Sequence, residues 1–133
     1  MRTQRLSWLY LLNGSALIVH EIDAAYWQEW QLFGLPGGPQ LFLGLNLVLV
    51  ILTLVGYRLL ILQRSSGLIF SWLLVAGGLF AAVVHSYYLL HGSELFALPA
   101  SLALLAIILV LSILQAVATA RCHGRMFPSD HTV

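Results

Sequence analysis

The sequence predicts an all-α, four-helix transmembrane bundle running up-down-up-down with both termini cytoplasmic. Three observations lead there. Of 133 residues, 60% are hydrophobic and only 8% charged, and the mean hydropathy is +0.92, far from the composition of a soluble domain. Four apolar stretches, near 6–26, 41–61, 68–90 and 95–120, each reach the roughly 20 residues that cross a hydrocarbon core. The signs of charge are segregated: Arg2 and Arg5, Arg58 and Arg64, and Arg121 and Arg125 flank one side of these stretches, while Glu21, Asp23, Glu29, His91 and Glu94 flank the other. Cytoplasmic loops are rich in basic residues, so the arginine side is read as inside and the two acidic turns as outside.

The first stretch follows a basic start, Met1 to Arg5. A cleaved signal would end in small residues. Here Asn13 and Gly14 interrupt the run, and His20-Glu21-Ile22-Asp23 stands at the expected cleavage site, so the segment reads as a retained helix. Trp8 and Trp27 lie 19 positions apart, roughly 28 Å along a helix at 1.5 Å per residue, which matches the spacing of two interfacial aromatic belts. The second stretch follows the breaker cluster Phe33-Gly34-Leu35-Pro36-Gly37-Gly38-Pro39, which terminates any helix before it. A polar turn, Gln63-Arg64-Ser65-Ser66-Gly67, separates it from the third. His91-Gly92-Ser93-Glu94 joins the third to the fourth, with Ser93 as its expected N-cap. Short connections favour antiparallel neighbours. One transmembrane domain over 1–120 and a polar cytoplasmic tail over 121–133 account for the chain.

The informative residues are the polar ones inside the apolar stretches, because an ionisable group in hydrocarbon is costly and normally faces the bundle interior with a partner. His20 and Asp23 are three apart and share a helix face. His85 falls at a comparable depth in the third stretch. The economical arrangement has His20, Asp23 and His85 pointing at one another, with His91, Glu21 and Glu94 completing or supporting the group and Glu29 further out. Two imidazoles with carboxylates suit zinc, or iron or manganese when carboxylates dominate. A metal-free polar network is the competing account. The pattern lacks the second histidine of the His-Glu-x-x-His protease signature. A lone cysteine, Cys122, excludes an intramolecular disulfide. A formal net charge of +1 gives no case for nucleic acid.

The run Asn13 to Ala24, with His20-Glu21-Ile22-Asp23-Ala24 at its end and Glu29-Trp30 following, resembles a family of small uncharacterised bacterial membrane proteins whose first helix ends in His-Glu-(Ile or Met)-Asp-Ala. The resemblance implies a four-helix protein of the bacterial inner membrane and directs attention to His20, Glu21, Asp23, Glu29 and Trp30. The expected function is a His/carboxylate site near the outer face that binds a divalent metal and acts on a lipid-like molecule reaching it sideways from the bilayer. Two other classes compete with it. One is a proton-coupled small transporter, which four helices would form by pairing as a homodimer. The other is a non-catalytic accessory protein that meets a membrane partner through Trp27, Trp30 and Phe33.

Overall fold

The computed structural model describes residues 2–92 and 96–126. Among them the chain is all-α, with five helices and no strand: α1 (Arg2–Tyr26), α2 (Glu29–Leu32), α3 (Gly38–Ile61), α4 (Ser66–Leu90) and α5 (Pro99–Met126). Three of these, α3, α4 and α5, are long and apolar enough to cross a membrane. α1 is as long but carries Asn13, His20, Glu21 and Asp23 along its length.

The breaks follow from local chemistry. α1 ends at Tyr26, and Gln28 then adopts a left-handed conformation (φ 54°, ψ 47°) before the single turn of α2. Gly37 (φ 87°) reverses the chain ahead of α3, and a proline lies in the first turn of that helix, where no N–H donor is required. α5 begins with Pro99, later than the apolar run itself, and continues past position 120 to Met126. The expected cap at Ser93 lies outside the described residues.

Contacts between helices set their relative directions. Asn13 meets Gln115 while Asp23 is joined through its carboxyl to Ser101, so α1 and α5 run antiparallel. Ser71 meets Thr119 and His85 meets Phe96, so α4 and α5 do the same. Tyr10 bonds Thr53 and Phe42 joins the cluster around Ala24, which sets α1 against α3 in the opposite sense. α1 and α4 therefore run parallel, with α5 packed against both.

A buried polar network fastens that trio. Asn13 Nδ2 donates to Gln115 Oε1 (2.9 Å) and Ser112 Oγ (3.2 Å). Gln115 Nε2 donates to Ser71 Oγ (2.9 Å), whose hydroxyl pairs with Thr119 Oγ1 at 2.7 Å. Thr119 in turn donates to the Gln115 carbonyl (2.8 Å). All five side chains are fully buried, and in an apolar surrounding such groups are retained only when paired. Close approach supports the network, since a Cβ on Gly78 would collide with the Ser112 hydroxyl; Gly56 likewise lets α3 approach Tyr10 of α1 and Phe70 of α4.

α3 is held differently. Its buried residues are Phe42 near one end and Gly56 and Leu60 near the other. Between them, no residue from 43 to 55 is buried. The helix is pinned at both ends and stands off the bundle in its middle.

Candidate metal centre

Where α1 ends, its last turns meet the C-terminal half of α4. His20 and His85, each 2% exposed, come together edge to face with ring centroids 4.7 Å apart. The parallel course of the two helices makes this possible. Phe96 closes over both rings, at 4.1 Å from His85 and 6.0 Å from His20. It does so from a left-handed backbone (φ 63°), a conformation that costs a bulky residue free energy and persists only where its surroundings enforce it.

The third member is Glu29. On an uninterrupted helix it would lie nine residues beyond His20, on the opposite face and about 13 Å along the axis. The break at Gln28 folds it back, and one ligand atom from each of His20, Glu29 and His85 lies within 4.8 Å of the others. All three residues are buried.

Hydrogen bonding fixes one ring. His85 Nδ1 is 2.8 Å from the Ala81 carbonyl, which can only accept, so Nδ1 carries the proton. Nε2 then presents a lone pair. It faces Glu29 Oε1 at 3.5 Å, beyond a good hydrogen bond, and has no hydrogen-bond partner. His20 Nδ1 is likewise buried and unpartnered. Backbone-oriented imidazoles with a free second nitrogen are the form in which histidine ligates metals. Burial and the nearby Glu21 and Asp23 carboxyl groups push the Glu29 carboxyl up to about 7.

The remaining residues singled out in the sequence are placed as follows. Asp23 lies beside the group but turns Oδ1 to the Ser101 hydroxyl (2.9 Å), which also accepts from Trp27 Nε1 (3.4 Å). Its Oδ2 is buried without a partner. Glu21 is directed toward Asn46 of α3. His91 sits at the end of α4, exposed, with Nδ1 donating to the Tyr87 carbonyl (2.8 Å) and its ring against Tyr87. Glu94 lies outside the described residues. Trp27 and Trp30 pack inward against Phe96 and Phe42, leaving Phe33 the exposed aromatic of that turn.

The carboxylate that joins the histidines is thus Glu29, which the sequence reading placed at the periphery in favour of Asp23. The helical spacing of His20 and Asp23 is real, but Asp23 turns Oδ1 to the Ser101 hydroxyl, with Oδ2 left unpartnered beside the group. Nothing in the residue type of Gln28 announces a left-handed break. The neighbouring Phe33 to Pro39 breaker cluster showed only that the chain must turn nearby.

His20, Glu29 and His85 also line one end of a cavity of about 330 Å³ bounded by α1, α2, α3 and α4.

Residues 6–122 match the family of unknown function DUF6713, and the chain belongs to that family. No curated protein and no solved structure matches it.

Proposed function

We propose that this member of the family is a four-span membrane protein that holds a divalent cation, zinc by preference, between His20, Glu29 and His85. The two acidic turns face the outer side of a bacterial inner membrane and both ends lie on the arginine side. The observation that carries the reading is a pair of acceptors that face each other: the His85 Nε2 lone pair and the Glu29 carboxyl, 3.5 Å apart and buried, beside the unpartnered His20 Nδ1. A cation with a preference for nitrogen and carboxylate oxygen satisfies all three at once.

Three protein ligands leave a coordination position open, the arrangement found where a metal polarises an oxygen or activates water and not where it merely braces a fold. All three ligands line the cavity, so an open position has access to what the cavity admits. The reading is therefore a metal-assisted reaction on a lipid-like molecule.

Elemental analysis of untagged protein beside a His20→Ala/His85→Ala double variant tests the site. Near-stoichiometric zinc, iron or manganese in the parent and its loss from the variant is the expected result. Equal trace metal in both would sink the reading and leave His85 and Glu29 as a proton-sharing pair.

A further inference from the structure

The cavity beside the histidines has a shape and a polarity that the metal ligands alone do not explain. It runs from His20 and Glu21 at one end to Tyr10 at the other, roughly 16 Å along α1 at 1.5 Å per residue. Tyr10 donates to the Thr53 carbonyl (3.1 Å) and closes that end. Between the ends the walls are apolar, formed by Leu17, Leu49, Leu73 and Phe80 among others. The space exists because α3 touches the bundle at its extremities and stands off in between. Leu49 and Leu52 of α3 and Leu73 and Phe80 of α4 line the cavity and are exposed. The cavity therefore opens sideways between α3 and α4, onto the flank that faces hydrocarbon in the proposed orientation.

We propose that this cleft is a binding site for a single-chain amphiphile with a hydroxyl head group. Its alkyl chain lies along Leu17, Leu49, Leu73 and Gly77, and its head lies at Glu21, Asn46 and the His20–Glu29–His85 group. Three observations select that class. The volume is near the lower end of ordinary ligand pockets, about 300–1,000 Å³, which suits one chain and not two. The polar end is rich in acceptors: the carboxyl groups of Glu21 and Glu29, the free nitrogen of His85, and the side-chain oxygen of Asn46, whose amide donates to its own helix at Phe42. The acceptors that the cation would not take, the Glu21 carboxyl and the Asn46 oxygen, suit a head group that donates a hydrogen bond, as a hydroxyl does and an ester does not. The opening faces the bilayer, where such a molecule resides. The assignment of the head group rests on the metal-site reading, since a hydroxyl oxygen is also a ligand; the alkyl cleft rests on the packing of α3 alone.

Gly77 supplies the test, because it lines the cleft and a Cβ added to it meets no atom within 4 Å. Gly44 of α3 is equally open but lies outside the cleft. Protein in diacyl phosphatidylcholine nanodiscs is labelled with a long-chain alcohol carrying a diazirine on its chain. Saturable labelling that excess unlabelled alcohol displaces is expected, preserved in Gly44→Phe and lowered about tenfold or more in Gly77→Phe. Labelling that rises linearly with probe, equals wild type in Gly77→Phe, or is matched by a diazirine phosphatidylcholine would overturn the proposal. Displacement in the wild-type protein decides the matter should Gly77→Phe fail to accumulate: its absence overturns the proposal. Metal content measured on the same samples separates the two readings. Saturable labelling of metal-free wild-type protein supports the cleft and removes only the metal. A metal-loaded protein without saturable labelling overturns the cleft and leaves the metal.

Discussion

His85 turns a bare nitrogen toward Glu29 Oε1 at 3.5 Å because the Ala81 carbonyl, 2.8 Å from the other ring nitrogen, holds its proton. Neither group can satisfy the other without a proton or a cation between them. Replacing Glu29 with Gln keeps the shape but removes the charge. Zinc affinity, read by competition with a chromophoric chelator, is expected to fall on the order of 100-fold, one ligand's share of a typical site. Unchanged affinity would remove Glu29 from the site.

The pH dependence follows from the same carboxyl. Its value near 7 means that a proton competes for the ligand position through the neutral range. Metal affinity should therefore fall as pH drops through 7, by up to about tenfold per unit for one competing proton. The metal-free protein should behave in the opposite sense. Glu29 titrates above its unfolded value, so its contribution to stability is fully present below the ordinary glutamate range and is lost as pH rises through 7. Chelator titrations at several pH values check the first statement and unfolding of metal-free protein the second. In Glu29→Gln both dependences should flatten across that range.

The buried amide network makes a separate prediction. Gln115→Ala removes three buried hydrogen bonds, leaving the Asn13 amide only Ser112 and the Ser71 hydroxyl only Thr119. Unfolding in mixed micelles should register a loss of roughly 1–3 kcal/mol, the net worth of the bonds removed. Asn13 lies seven positions before His20, roughly 10 Å along α1, so metal content should not change. A variant that loses metal while remaining folded would show the two regions to be coupled.

Two adjacent glycines should respond oppositely. A methyl on Gly77 projects into open space, whereas one on Gly78 strikes the Ser112 hydroxyl and crowds Ile108. Gly78→Ala is expected to destabilise by about 1–3 kcal/mol through overpacking. Gly77→Ala should be neutral, or stabilising by roughly 0.5–1 kcal/mol through helix propensity. Equal effects in both would contradict the α4/α5 packing.

Orientation is testable with Cys122, the one cysteine of the sequence. In intact cells, a Cys122→Ser/Gly37→Cys variant should react with a membrane-impermeant maleimide, and the parent Cys122 should react only after permeabilisation. The reverse pattern would invert the proposed arrangement and put the candidate centre on the inner side.

Much of the helical frame was legible in the sequence, because hydropathy and breaker residues act locally. The stretches expected at 41–61 and 68–90 became Gly38–Ile61 and Ser66–Leu90. Two of three cluster residues, His20 and His85, were also legible, since ionisable side chains in apolar stretches must face inward. Glu29 was not, because its position depends on a left-handed glutamine that tertiary packing enforces. Nor was the density of the Asn13–Ser71–Gln115 network, which needs the lateral arrangement of α1, α4 and α5. Those residues lie on three separate helices, and packing makes them a closed set of bonds. The cleft was invisible for a related reason: it is made by where α3 fails to touch.

Of the two helices that carry none of His20, Glu29 and His85, α5 bears on both imidazoles. α5 lies against both α1 and α4, and the segment just before it carries Phe96 onto the two imidazoles. It is also the last of the five helices to leave the ribosome. α3 also joins α1 to α4, since Gly56 lies against both Tyr10 and Phe70, but only the α5 segment brings a side chain over both imidazoles. A cation held by His20, Glu29 and His85 would therefore be covered by Phe96 only after α5 has packed, so its rate of exchange would report that docking.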